Sequence, residues 1–324
     1  PHTWRLKLYY KMKLKKPKFW DQKKISIWVI LLFPLSIIYL MLLWLSKFLS
    51  IFKNFEKKCP IVCIGNIYIG GTGKTPLAEE IFKFIQSSGK KPAFIKKNYH
   101  YLLDEIRMLN ETGETFIAED RRTAIEKSII KGKNVAILDD GFQDFSIKID
   151  FSILCFNSKQ LIGNGFIIPS GPLRETLSSL SRADCVVING NRTEETSKFE
   201  ERIKKNLKGK KIHFFYSKYI INNVEKFKNK EITAFAGIGN PSNFFDLLKE
   251  SGLNVKKTYS FPDHHNYSES DINLITKDNT KTIVTTKKDY FRMTNKQKEI
   301  CDYIEINLKI ENKNELEHLI RKKI

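Results

Sequence analysis

The residues with the most chemical content lie in Gly65 to Pro76, GNIYIGGTGKTP. Gly70, Gly71 and Gly73 precede a Lys74–Thr75 pair, and an apolar run leads into them. In a turn that opens a helix, such glycines let backbone N–H groups converge on an anion, and the helix N-terminus adds positive potential. Lys74 then reaches the β- and γ-phosphates of a nucleotide, and Thr75 presents its hydroxyl where Mg²⁺ sits. Gly70, Gly71, Thr72, Gly73, Lys74 and Thr75 are therefore the expected nucleotide-binding loop. One position departs from the pattern G-x-x-x-x-G-K-[ST], because Tyr68 stands where the opening glycine belongs. A dinucleotide fingerprint fits worse: its three-glycine spacing is missing, and it leaves the Lys-Thr pair without a role.

A phosphate loop needs a carboxylate on the metal side, at the end of another buried strand. NVAILDDGFQ supplies Asp139 and Asp140 after four apolar residues and before a glycine turn. Two acids at a strand tip also serve as helix caps, but beside Lys74 and Thr75 they read as Mg²⁺ ligands.

These groups need a frame. Short apolar runs at 60–67, 92–97, 134–140, 151–157 and 185–190 alternate with helical patterns at 75–88 and 120–131. Near-continuous apolar strands separated by helices imply a parallel sheet covered on both faces. A second unit begins after a lysine-rich stretch. EITAFAGIGNPSNFFDLLKESG reads as strand, glycine turn and helix, with Ser242 as cap and Gly252 as stop. KTIVTTKK and CDYIEINLKI read as two further strands. The fold class is α/β: a P-loop NTPase-like parallel-sheet domain, a smaller second α/β domain and an N-terminal membrane-associated helix. The expected boundaries are 1–55 for the basic N-terminus and anchor, 56–217 for the P-loop domain, 218–230 for a linker and 231–324 for the smaller domain.

The anchor expectation rests on Ile25 to Ser46, which carries no formal charge and lies between lysine-rich flanks. A bilayer core needs about 20 apolar residues in a helix. Trp20, Trp28, Tyr39 and Trp44 near its ends suit a membrane interface. The N-side flank is the more basic, so the positive-inside rule taken literally exports everything after residue 50. Pro34 offers a bent or re-entrant segment that keeps both flanks on the cytoplasmic face. Met12 would make a natural first residue, which would leave residues 1–11 outside the mature protein. The five cysteines are odd in number, scattered and mostly in apolar runs, which reads as reduced thiols of a cytosolic compartment. A formal charge of +20 over 324 residues draws the surface toward something anionic.

GNIYIGGTGKTP, LDDGFQ, IPSGPLRE (168–175), AFAGIGNPSNFF (234–245), FPDHH (261–265) and TTKKD (285–289) occur in the order and approximate spacing of tetraacyldisaccharide 4′-kinases. The chain resembles this lipid A pathway family over essentially all residues after Met12, and PLSIIY in the apolar segment resembles the family's anchor. The resemblance implies transfer of the ATP γ-phosphoryl group to the 4′-hydroxyl of an acylated glucosamine disaccharide 1-phosphate at the cytoplasmic face of the inner membrane. It implies that Asp104 acts with His264 to position and deprotonate the attacking hydroxyl. Lys74, Mg²⁺ and Arg174 would neutralise charge, Glu105 would join Thr75, Asp139 and Asp140 as a metal ligand, and Gln143 would contact the nucleotide. The partners implied are the lipid disaccharide and an anionic membrane surface.

Four departures from the family pattern stand out. The loop before Asp104 is compressed to KKNYHYLL, with Lys96 and Lys97 as replacements for its usual contacts. Ile106 stands where proline is usual, Asp144 where histidine is common and Lys287 where glutamate is usual. Two other function classes compete. A membrane-bound P-loop switch for partner binding or protein targeting would hydrolyse nucleotide without a sugar acceptor, and it leaves FPDHH without a role. A nucleic-acid binder is motivated by charge alone. The lysines are spread along the chain with no aromatic-interleaved basic motif, so no nucleic-acid partner is expected, and no obligate protein partner is evident.

Overall fold

The computed structural model describes residues 16–22, 24–50, 56, 58–98, 103–207, 209–277 and 282–324. Residues 1–11 lie outside the described part. Helix α1 (Ile27–Ser50) precedes an eight-stranded sheet and a four-stranded one.

The large sheet contains β1 (Ile61–Gly65), β2 (Pro92–Lys97), β3 (Thr115–Ala118), β4 (Val135–Asp139), β5 (Phe151–Asn157), β6 (Cys185–Asn189), β7 (His213–Ile221) and β12 (Ile306–Ile310), in the order β12-β7-β6-β5-β1-β4-β2-β3. Seven of these strands are parallel; β12 runs antiparallel to β7. Every residue of β1, β4, β5 and β6 is buried, as a sheet covered on both faces demands. The connecting helices are α2 (Lys74–Ser87), α3 (Leu103–Thr112), α4 (Arg121–Ile130) and α5 (Glu194–Asn206). Asp120 caps α4 by accepting from the Thr123 N–H, and a Thr193–Thr196 capping box opens α5. Strand β1 lies between β4 and β5, so the chain turns to opposite sides of the sheet there. The carboxyl ends of strands at such a switch are where open α/β sheets bind ligands.

The small sheet is all parallel, in the order β11-β10-β8-β9, from β8 (Glu231–Ala236), β9 (Asn254–Ser260), β10 (Thr282–Thr286) and β11 (Asp302–Ile304). It carries α6 (Pro241–Glu250), α7 (Glu269–Thr276) and α8 (Lys287–Arg292), and α9 (Lys313–Arg321) ends the chain.

Several expectations change. Residues 218–221, read as the start of a linker, belong to β7, and 306–321 return to the large sheet instead of completing the smaller unit. CDYIEINLKI divides at Glu305 into β11 and β12. Asn223 holds the break: its amide donates to the Tyr303 carbonyl (3.1 Å) and accepts from the Glu305 N–H (3.0 Å). KTIVTTKK ends as a strand at Thr286, whose hydroxyl caps α8 by accepting from the Asp289 N–H. Ser242 lies within the first turn of α6 behind Pro241; Asn240 holds the N-cap position, and Ser242 donates to its side chain (2.8 Å). Pro34 neither breaks nor re-folds the apolar segment, because α1 is continuous through it. All five cysteines are free and four are buried.

Helix α1 is the one helix among the described residues long and apolar enough to cross a membrane. It is docked on the large-sheet body along one side only. Val29 is buried, Phe33 packs edge-on against Phe166 (6.3 Å), and the Ser36 hydroxyl donates to the Ile167 carbonyl (2.9 Å) and accepts from the Ser170 N–H (3.1 Å). Tyr39 and Leu40 pack on the core, and Lys47 lies over the Phe145 ring (5.8 Å). The other side leaves Leu31, Met41, Leu42 and Trp44 exposed.

Candidate active site

The glycine-rich turn leaves the carboxyl end of β1 and enters α2. Gly70 (φ +128°) and Gly73 (φ +88°) occupy backbone regions that favour glycine. A Cβ on Gly73 would also lie 2.7 Å from the Asn189 side-chain nitrogen and 2.8 Å from the Tyr219 hydroxyl. Asn66 fixes the turn from within: its amide donates to the Tyr68 carbonyl (2.6 Å) and the Thr72 hydroxyl (3.1 Å). Tyr68 needs no glycine conformation because it is strand-like here. It forms an antiparallel bridge with Leu173, its ring is buried, and its hydroxyl donates to Asp21 (2.6 Å). IPSGPLRE is the other half of this support, since the Ile69 N–H donates to the Pro172 carbonyl and the Arg174 N–H to the Ile67 carbonyl.

Below the turn, the acids at the tip of β4 have separate surroundings. Asp139 is buried; one oxygen takes the Lys96 ammonium at 3.0 Å and the Thr75 hydroxyl at 3.3 Å. Its other oxygen, Oδ1, is buried without a hydrogen-bond partner. Asp140 (φ +63°) turns its carboxylate toward Arg174 (2.8 Å) and Lys74 (3.8 Å). Burial opposes its ionisation, but Lys74, Arg174 and Arg121 hold the carboxyl down at about 2. Arg121 also donates to the Asp140 carbonyl (2.8 Å) and pairs with Asp144 (3.1 Å), the residue standing where histidine was expected.

An orphaned carboxylate oxygen, an adjacent threonine hydroxyl and a second ionised carboxylate suit a hard cation that also takes phosphate oxygens and water, as Mg²⁺ does. Among the described residues no three His, Cys, Asp or Glu side chains form a ready-made metal cage.

Gln143 is engaged in support. It donates to the Asn66 carbonyl (3.1 Å) and Glu175 (3.0 Å) and accepts from Arg174 (3.3 Å), while still reaching the cavity wall.

The cavity, of about 1040 Å³, lies between the two sheets and α1. Lys74, Asp139 and Arg174 line one side, His264 and Lys288 the opposite side, and Tyr39 and Leu43 of α1 a third. A Cβ on Gly239 of the second unit would stand 3.6 Å from the Gly71 nitrogen, so the two glycine loops face each other closely. His264 (φ +55°) donates its N–H to the Gly237 carbonyl (3.1 Å), and its Nε2 lies 3.4 Å from the Lys288 ammonium. Buried Asp289, the acid of TTKKD, orders that loop by accepting from the Gly237 N–H (3.0 Å) and the Tyr267 hydroxyl (2.9 Å). Asp104 and Glu105 belong to the first turn of α3, and their side chains lie outside the described residues.

Sequence reasoning missed Asn66, Arg121, Lys288 and Glu79. Glu79, on α2 and in the cavity wall, has its carboxyl pushed up to about 7 by burial, against the pull of Lys287 and Lys83. Only Arg121 carried a usable signal, an arginine beginning a helix behind an Asp cap.

Comparison with known proteins agrees over nearly the whole chain. The family model described as LpxK, Tetraacyldisaccharide-1-P 4′-kinase, matches residues 28–112 and 101–324. A tetraacyldisaccharide 4′-kinase of Pelagibacter ubique (strain HTCC1062) is 41% identical over 309 residues, covering 94% of this chain and 96% of that one. One of Rickettsia bellii (strain OSU 85-389) is 31% identical over 341 residues, covering 96% and 99%. The crystal structure of "apo" form LpxK from Aquifex aeolicus in complex with ATP shares the fold, with a TM-score of 0.70 at 24% identity over 91% of this chain and 98% of that one.

Proposed function

The chain belongs to the tetraacyldisaccharide 4′-kinase family, and we propose how its residues divide the work. The activity is transfer of the ATP γ-phosphoryl group to the 4′-hydroxyl of a tetraacyldisaccharide 1-phosphate, a step of lipid A biosynthesis. One observation carries the assignment of roles: the phosphate loop and His264 face each other across a cavity whose third wall is the apolar helix.

The backbone N–H groups from Gly71 to Thr75 and the Lys74 ammonium hold the β- and γ-phosphates. Arg174, braced by Asp140, stands where charge builds on the transferred group. Thr75, Asp139 and Asp140, with Glu105, would hold Mg²⁺, which would supply neutralisation of the phosphate charge. Lys96 holds Asp139 in place from below. Asp104 and His264 orient the acceptor hydroxyl and take its proton, which requires the second unit to stay closed over the phosphate loop. In a loose phosphoryl-transfer transition state this positioning and charge neutralisation supply most of the catalysis.

Helix α1 lies in the cytoplasmic surface of the inner membrane, its exposed side in the acyl region and its docked side on the catalytic body. Contacts with that body recur between Val29 and Lys47, which supports an in-plane helix over a spanning one. The acceptor's acyl chains then stay in lipid while its head group passes Tyr39 and Leu43 into the cavity. The basic surface favours both the anionic bilayer and a phosphorylated head group.

The test is transfer of labelled γ-phosphate from ATP to tetraacyldisaccharide 1-phosphate in detergent micelles. A bis-phosphorylated lipid is expected from wild type, none from Lys74→Ala and sharply less from His264→Ala. ATP hydrolysis at one rate with or without lipid, and no lipid product, would instead establish a nucleotide switch.

A further inference from the structure

Lys287 was singled out by the sequence as a cation where an acid was expected, and the structure gives it a setting. It begins α8, in the small-sheet unit, and pairs with Glu111 near the end of α3, in the large-sheet body. Its charge is raised in stability by that carboxylate and by Glu79 of α2 on its other side, against the cost of burial. A second tie joins the same two helices, because Arg107 donates to the Phe291 carbonyl (3.2 Å). The groups facing Lys287 thus come from three elements: Glu79 on α2, Glu111 on α3 and Tyr303 on β11.

What these two helices carry gives the contact its meaning. Positions 104, 107 and 111 are separated by three and four residues, so they fall along one side of α3. One end of that side bears the acid proposed to work with His264; the other end bears the contact to α8. On α8, Lys287 is followed by Lys288, whose ammonium lies 3.4 Å from His264 Nε2. The path from one member of the proposed pair to the other therefore runs through α3, across Glu111–Lys287 and back through Lys288.

We propose that the Glu111–Lys287 pair, with Arg107 beside it, is the latch that sets the spacing between Asp104 and His264 when the small unit closes over the phosphate loop. Glu111 and Lys287 are positioning residues for the acceptor side of the reaction. The proposal rests on the reading of Asp104 and His264 as the acid–base pair.

The pair is partly solvated, with side-chain exposures of 42% and 29%. Its contribution to global stability is accordingly small. Its effect on rate is larger, since misplacing reacting groups by about 1 Å costs up to roughly 100-fold.

The experiment is lipid phosphorylation by the full chain in micelles, with Glu111→Gln and Lys287→Gln made singly. Each should lower kcat by about 10- to 100-fold, with KM for ATP and the melting temperature unchanged. The reversed pair, Glu111→Lys with Lys287→Glu, is made in a Glu79→Gln background so that the new carboxylate does not meet Glu79, and is compared with Glu79→Gln alone. It should recover most of kcat. Full activity in the single variants, or no recovery in the reversed pair, overturns the latch. His264→Ala separates the two readings: if it is fully active the acid–base assignment has failed, and if it is inactive while the single variants are normal the latch alone has failed.

Discussion

Replacing Lys96 by methionine tests the least exposed charge pair of the site. The Lys96 and Asp139 side chains are 4% and 1% exposed, and their charged atoms lie 3.0 Å apart. A pair this deep gains little over two well-packed apolar residues, because desolvation offsets most of the attraction. Breaking it is different: Lys96→Met leaves a buried carboxylate with one hydroxyl partner, at a cost of about 3–5 kcal/mol. At roughly 2–4 °C per kcal/mol for a large domain, melting should fall by about 10 °C. Methionine keeps the length of the side chain, so packing contributes little to the loss. Adding Asp139→Leu removes the stranded charge and should return most of the stability, while kinase activity should stay lost because the carboxylate proposed to hold Mg²⁺ is gone. Thermal melts of the detergent-solubilised protein, read beside the lipid phosphorylation assay, decide it. A single variant that melts within about 1 °C of wild type, or a double variant no more stable than the single, would refute the reasoning.

Three further outcomes follow from the same geometry. Glu79 titrates near 7 in the folded chain instead of the ordinary 4.5. Folding therefore favours its protonated form, and the stability it contributes is full below about 4.5 and lost as pH rises through 7. Glu79→Gln should gain on wild type in denaturation at pH 8 and gain little at pH 5. Asp140 runs the other way, with its carboxyl lowered from 3.8 to about 2. The advantage of wild type over Asp140→Asn should be complete above pH 4 and disappear as pH falls through 2, measured by acid unfolding. For α1, Leu31→Asp and Leu42→Asp each place a charge on the exposed side proposed to face lipid, at a cost of about 2.5–3.5 kcal/mol at bilayer depth. Flotation with anionic vesicles should fall by tenfold or more, and cysteines introduced at Lys24 and Glu56 should both label from the cytoplasmic side. Labelling from opposite sides would refute the in-plane reading.

The parts of this site legible in sequence are those written locally. A strand, a glycine turn and a helix start are contiguous around Gly70–Thr75, and Asp139–Asp140 close an apolar run, so spacing alone placed them. What stayed hidden depends on partners far along the chain. Lys96 ends an apolar strand, where a lysine reads as solvated; only the tip of β4 beside it makes it a buried counter-ion. The lysines of 218–230 suggested a linker, yet β12 returns from 85 or more positions later to cover β7. Thr286 and Asp289 did carry a local signal, a cap followed three residues on by an acid, which marks the end of β10 better than the β-favouring composition of KTIVTTKK does.

The tyrosine in place of the loop's first glycine ties the phosphate turn to the apolar helix. Tyr68 pairs with Leu173, and the segment holding Leu173 does three things at once. Through Ile167 and Ser170 it grips Ser36 of α1. Through Pro172 and the Arg174 N–H it carries the strand entering the phosphate turn. Through the Arg174 guanidinium it reaches Asp140 in the proposed site of phosphoryl transfer. Helix α1 and the phosphate loop are thus two sides of one support, and the proposed site of phosphoryl transfer is fixed relative to α1. On the proposed in-plane placement of α1, with the acceptor's chains in lipid, that is the distance the protein has to hold constant.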